Sequence, residues 1–330
     1  MAAISQLQRV AGPRRAWAPP PGTGRRGSVT VAAARAPLRR LEGASEELRA
    51  AAAQSLDWAP ARRRVRDVFA PVLPTLDHCL FKMAPKGIKM EENLEINSKG
   101  VEIFWKSWLP REGTATKAAL FFCHGYGDTC TFFFEGIAKR IAAAGYAVYA
   151  MDYPCFGLSY GLHGYIASFD GMVDHVIEQY ARIREDVTPP VPVLKALSML
   201  SCLLPEAKLF PQKDIGDLGF RDPVKRKLCE YNAISYNDQM RLRTAVELLK
   251  ATKDIESQLE KICSPLLILH GAADQVTDPH VSEFLYEKSS TQDKTLKLYE
   301  GAYHSILEGE PDDRISTAIN DIISWLDSHC

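Results

Sequence analysis

No apolar run in this chain reaches the 18 or so residues that a membrane-spanning helix needs. The longest candidate, VPVLKALSMLSCLLP at 191–205, is interrupted by Pro192 and Lys195, so an integral membrane protein is excluded. The eight cysteines, at 79, 123, 130, 155, 202, 229, 263 and 330, form no C-x-x-C pair. That scatter excludes the common zinc spacings and argues against a disulfide framework. All eight read as structural thiols of a reducing compartment. Cys123 and Cys263 stand in or beside apolar strand-like runs, where cysteine acts as a small hydrophobe. No spacing in the chain implies a metal or a cofactor.

Acidic residues are also missing from the first 41 positions, and so is lysine. Eight arginines stand there instead, at 9, 14, 15, 25, 26, 35, 39 and 40, among Ala, Ser and Thr. Such a stretch has the composition of an organellar transit peptide. VTVAAARA at 29–36 reads as a plastid processing site cut between Val31 and Arg35, which predicts a chloroplast protein, with mitochondrion or cytoplasm as alternatives. A basic arm for nucleic acid is the competing reading. Without those eight arginines, 32 basic residues face 41 acidic ones, a net charge of −9. A body so acidic argues against nucleic acid as a partner.

What remains is ordinary in composition, with 46% hydrophobic and 25% charged residues over a 330-residue chain, the balance of a soluble globular protein. Residues 42–75 read as a poorly defined linker with one or two short helices. NLEINSKGVEIFWKSWLP (93–110) alternates apolar and polar residues on both sides of Ser98-Lys99-Gly100 and predicts a hairpin. A buried strand in KAALFFCHGYGD, a helix over 131–145, a second strand at 146–153 and a helix over 168–185 follow. Strand, helix, strand, helix predicts an α/β fold with right-handed crossovers and a mostly parallel sheet carrying helices on both faces. The grammar resumes with a strand in SPLLILHGAADQVTDP (264–279), a helix at 280–290, a strand in KTLKLYEGAYHS and a closing helix at 313–330. We divide the body into an N-terminal part at 76–186, a helical cap at 187–260 and a C-terminal part at 261–330.

Three strand-end loops carry the chemistry expected of such sheets. HGYGD (124–128) presents backbone N–H groups, that of Tyr126 above all, to an oxyanion. HGAADQVTD (270–278) offers Asp274, with Asp278 as the second choice. GAYHS (301–305) offers His304. An acid after one strand and a histidine after the next is the Asp…His order of α/β-hydrolases, the histidine acting as general base and the carboxylate fixing its tautomer. Each part has a plainer reading, since a strand-end Asp often caps the next helix and a loop histidine is usually solvated. His163, His175, His280 and His329 are assigned that plainer role, and His124 and His270 are expected to bond to strand ends.

FCHGYGDTCTFFFEGIAKRIAAAGYAVYAMDYPCFGLSYGLHGYIASFD closely resembles the plant monoacylglycerol lipase-like family, which includes the caffeoylshikimate esterases. So do PEAKLFPQKDIGDLGFRD, YNDQMRLRTAVELLK, PLLILHGAADQVTDP and GAYHSILEGEPDD. The likeness covers about residues 75–185 and 187–329. It implies Asp274 as triad acid, His304 as triad base and Tyr126 as an oxyanion-hole donor. It further implies a small-molecule ester substrate and an apolar cap near 187–220 that lines the acyl entrance and touches membrane surfaces.

One pentapeptide, Gly157-Leu158-Ser159-Tyr160-Gly161, spells the G-x-S-x-G of a nucleophile elbow. An elbow needs a strand delivering the serine onto a tight turn and a helix starting at once. Ser159 has Pro154 and Gly157 before it and the glycines of YGLHGY after it. In the family this loop reads much the same, with Gly where Cys155 stands, and is not the nucleophile loop. Ser159 therefore reads as a decoy, a nucleophile only if the site has rearranged. The family's own elbow should follow the helix at 168–185, but YARIRE runs straight into DVTPPVPVLKALSML. A strand, elbow, helix and following strand are absent, a unit of at least 30 or so residues, and no other G-x-S-x-G exists in the chain. The expectation is an α/β-hydrolase-like chain lacking its central elbow strand or strands, with little or no activity. A clean junction of that kind suggests an exon-skipped isoform or an incomplete gene model, and a non-catalytic lipid- or partner-binding protein is the alternative.

Overall fold

The structure is a computed structural model, and it describes residues 44–82, 87–185 and 216–330. Glu46–Ala52 (α1) and Ala59–Phe69 (α2) come first, then the short α3 (Cys79–Lys82). Lys89–Ile96 (β1) and Glu102–Leu109 (β2) form the expected hairpin, antiparallel from Lys89↔Leu109 to Ile96↔Glu102. Gly100 makes its turn at φ +75°, a conformation that glycine adopts without steric cost. Ala119–Phe122 (β3), Phe133–Ala143 (α4) and Ala147–Met151 (β4) make a parallel crossover, and Phe169–Glu185 (α5) follows. The sheet order is β1-β2-β4-β3, with β2 antiparallel to β4. The sheet is therefore mixed, since the hairpin enters it as the antiparallel edge.

Further along are α6 (Gly216–Gly219), α7 (Pro223–Leu228) and α8 (Leu242–Glu256), then β5 (Leu266–Gly271), α9 (Pro279–Lys288), β6 (Lys294–Tyr299) and α10 (Asp312–Asp327). Residues 186–215, which hold Cys202 and most of the apolar stretch expected near 187–220, lie outside the described residues, as does the arginine-rich leader. β5 and β6 pair in parallel with each other. Among the described residues neither strand pairs with β3, so the strands form two ladders rather than one sheet. One hydrophobic cluster still joins both: Ile137, Ile141, Val148, Ile315 and Ile319 are buried in it, and Leu120, Phe122, Leu267 and Leu269 pack against it. The apolar side chains of β3 remain only half-buried, although strands of a parallel sheet are normally covered on both faces. At the open edge of β3 the Tyr180 hydroxyl of α5 donates to the Phe122 carbonyl, a side chain doing what a neighbouring strand would do. Among the described residues no helix is long and apolar enough to cross a membrane.

Residues 44–75 are packed rather than loose. Ala44, Leu48, Ala51, Ala52, Leu56, Val65 and Phe69 bury one another in a cluster of their own, and Ser45 caps α1 through the Leu48 N–H. Three cysteines depart from the expectation: Cys123, Cys263 and the C-terminal Cys330 are exposed.

Candidate active site

β5 and β6 run parallel, so both deliver their C-terminal loops to one end. Gly271 closes β5 where a Cβ would come within 2.2 Å of the Tyr303 carbonyl oxygen and 2.5 Å of that of Ala302. Only glycine lets the two loops touch there. The Ala273 N–H donates to Ala302 O at 2.9 Å and the Ala272 N–H to Tyr299 O at 2.9 Å. Behind the second loop, the buried Glu310 accepts from the Tyr303 N–H at 2.9 Å and is bridged by Arg314 at 3.1 Å. This scaffold brings the acid and the base together: His304 Nδ1 lies 2.8 Å from Asp274 Oδ2.

Asp274 is nearly saturated with donors. Its Oδ1 accepts the N–H groups of Val276 (2.7 Å) and Thr277 (3.0 Å), and its Oδ2 also accepts the Thr277 hydroxyl at 2.7 Å. Burial alone would raise its proton affinity. The bonds from Thr277, His304 and Val276 outweigh that and hold the carboxyl well below the usual carboxylate range. A carboxylate accepts only, so His304 carries its hydrogen on Nδ1, and no described residue bonds to Nε2. His304 is 43% exposed while the Asp274 side chain is 1% exposed. The base faces solvent and the acid stands behind it. Asp278, the second choice, instead caps α9 by accepting the His280 N–H at 3.0 Å.

Tyr126 lies on the loop after β3, and no described residue accepts from its backbone N–H. The loop is clamped by Gly127, whose carbonyl accepts from the Tyr236 N–H (2.6 Å) and the Ser235 hydroxyl (3.0 Å). His124 bonds to a strand end as expected, its Nε2 accepting from the Tyr153 N–H at 3.2 Å just beyond β4. His270 departs from that expectation: its side chain meets no strand end, and its Nε2 lies 2.9 Å from Asp274 Oδ2. The strand periodicity ends at His270, so only the HGAAD spacing could have signalled that this side chain turns back to the acid. Among the described residues no group of three or more His, Cys, Asp and Glu could hold a metal ion.

Ser159 is fully buried, and among the described residues no histidine bonds to its hydroxyl. Its hydroxyl donates to Asp152 O (2.6 Å) and accepts from the Phe104 N–H of β2 (2.8 Å). Both glycines of the pentapeptide have structural reasons to be there. Gly157 has φ +45°, and a Cβ on it would lie 2.0 Å from the Asp152 carboxylate; Gly161 has φ +124° and would meet Cys155 Sγ at 2.4 Å. The G-x-S-x-G of this chain is thus the signature of a tight loop wrapped around Asp152. Removing the hydroxyl orphans a buried N–H and a buried carbonyl, so Ser159→Ala is expected to cost about 1–3 kcal/mol, read as a lower melting temperature with ester turnover unchanged.

Residues 114–199 and 180–312 match the family model described as Serine aminopeptidase, S33. A caffeoylshikimate esterase of Arabidopsis thaliana is 28% identical over 273 residues, covering 68% of this chain and 82% of that protein. A monoglyceride lipase of Mus musculus is 27% identical over 273 residues, covering 70% and 88%. The crystal structure of a soluble variant of monoglyceride lipase from Saccharomyces cerevisiae, in complex with a substrate analog, superposes with a TM-score of 0.60. It is 19% identical and covers 75% of this chain and 99% of that one.

Proposed function

The chain belongs to the serine aminopeptidase S33 family, and from that premise we propose that it keeps the acid and base of an esterase but lacks the elbow serine, and so turns over esters little or not at all. It is an α/β-hydrolase of the monoacylglycerol lipase and esterase kind. Its complete form would act on small-molecule esters: acylglycerols, lysophospholipids or hydroxycinnamoyl conjugates. The observation that carries this reading is the Asp274–His304 pair at 2.8 Å, while the serine of the only G-x-S-x-G is buried elsewhere. We further propose that the arginine-rich leader is a plastid address and that the cap makes peripheral membrane contact.

Two observations support the loss of a block of sequence. β3 and β5 each have an unpaired edge among the described residues, where a central strand would sit. The alignments agree: 68% of 330 residues is about 224, so about fifty of the 273 positions shared with the plant esterase fall opposite gaps in this chain. A shorter match to the Saccharomyces cerevisiae lipase, 65 residues over 20% of the chain, has no such deficit.

A fluorophosphonate probe, which labels an activated serine, is expected to leave the purified chain unlabelled. Stoichiometric labelling that disappears in Ser159→Ala would overturn the reading. Tryptic mapping of the protein from its tissue separates the shortened chain from a longer product. EDVTPPVPVLK, released by cuts after Arg184 and Lys195, spans the junction, and its replacement by peptides carrying a strand-borne G-x-S-x-G would assign the gap to the gene model.

A further inference from the structure

We propose that His270 and Ser282 are positioning residues for the acid of the Asp274–His304 pair, forming a second imidazole arm on the same carboxylate oxygen. The inference rests on the reading of that pair as acid and base. His270 is the penultimate residue of β5, and its ring fills the space between the Asp274 loop and the first turns of α9. Nε2 lies 2.9 Å from Asp274 Oδ2 and 3.2 Å from the Thr277 carbonyl oxygen. Nδ1 lies 2.6 Å from Ser282 Oγ. A carboxylate and a carbonyl can only accept, so a hydrogen stands on Nε2, and Nδ1 accepts the Ser282 hydroxyl.

The arrangement has a consequence for the base. Oδ2 of Asp274 receives three donors: the Thr277 hydroxyl, His270 Nε2–H and His304 Nδ1–H. Thr277 is itself on an exposed loop, whereas the His270 side chain is only 13% exposed and is tied through Ser282 to a helix. His270 is thus the donor on a rigid support, and it fixes where Oδ2 stands when His304 approaches from the solvent side. Without it, Oδ2 would be held on its free side only by a loop hydroxyl that also lies 3.2 Å from His304 Nδ1 and can compete for that ring nitrogen. Outer partners that orient a functional group in this way commonly matter as much as the group itself.

The test is two-bond 1H–15N correlation on the full chain labelled with 15N-histidine, at neutral pH, which reads the hydrogen on each ring nitrogen. In the unmodified chain His304 is expected as the Nδ1–H tautomer alone and His270 as Nε2–H alone. His270→Phe, which removes the donor, should turn His304 into a mixture of tautomers. His270→Gln, whose amide replaces Nε2–H, should restore the single form. Ser282→Ala keeps the ring and removes its anchor, and should also mix the His304 tautomers; it carries the test if the phenylalanine variant does not fold. A single His304 tautomer in every folded variant, or a His270 hydrogen on Nδ1, sinks the positioning role alone. Absence of hydrogen from His304 Nδ1 in the unmodified chain would instead remove the acid–base pair itself, so the two failures are distinguishable.

Discussion

A strand–elbow–helix–strand unit taken from a complete relative and inserted after Glu185 is expected to raise ester turnover by roughly 10⁶. The expectation follows from what is already in place. His304 is oriented by a buried carboxylate at 2.8 Å, the Tyr126 loop is clamped by Tyr236 and Ser235, and Gly271 seats the Asp274 and His304 loops against each other. What the insertion supplies is the attacking oxygen and the second oxyanion donor, whose loss alone costs about 10²–10³ in rate. These contributions do not add, because a base without a nucleophile does nothing, so loss of the serine sets the whole effect. The inserted strand would also find two waiting edges, β3 and β5, and its pairing should raise the unfolding midpoint along with the activity. Hydrolysis of a p-nitrophenyl ester and of a monoacylglycerol measures the gain, and His304→Ala in the same background should return it to baseline. A folded, fully labelled insertion variant that ignores loss of His304 would show that the acid–base pair is not the one used.

The parts of this architecture that the sequence made legible are those with a strong local period or a rigid stereochemical demand. The β3–α4–β4 crossover follows from apolar runs separated by a helical repeat, and the turn at Gly100 follows from the need for a positive φ. Asp274 and His304 were identifiable because their place, just beyond successive strands, is a topological fact that a linear pattern preserves. Other features depend on partners far away in the chain. The residues flanking Ser159 mark its pentapeptide as a decoy, but what the loop is built around, the Asp152 carbonyl and the Phe104 N–H, is seen only in three dimensions. His270 lies inside a strand and looks like one more strand-end histidine until α9 places Ser282 2.6 Å from its other nitrogen. The exposure of Cys123 and Cys263 was equally illegible, because an apolar strand predicts burial only if its neighbours exist.

Replacement of Arg62, a residue the sequence does not single out, carries the largest expected loss of stability. It is the first of three consecutive arginines, and it is fully buried whereas Arg64 is exposed. Its guanidinium donates to the carbonyls of Leu56 (3.0 Å), Asp57 (3.1 Å), Ser159 (2.7 Å), Gly161 (3.3 Å) and Gly157. Burial lowers its pKa to about 10, so it remains charged at neutral pH, and the carbonyl dipoles supply the compensation that a buried cation requires. Those five carbonyls belong to the turn before α2 and to the loop around Asp152, so one side chain ties the N-terminal helices to the body. Arg62→Met keeps the volume but leaves the carbonyls without donors. By analogy with breaking a buried ionic partnership, the cost is about 3–5 kcal/mol, or roughly a 10 °C fall in melting temperature. Lysine is a poor substitute, because a point charge cannot serve five acceptors spread across a planar fork. Arg64→Met, two residues along, should stay within about 0.5 kcal/mol of the parent. Equal melting temperatures for the Arg62 and Arg64 variants would show that the N-terminal helices are not anchored through this side chain.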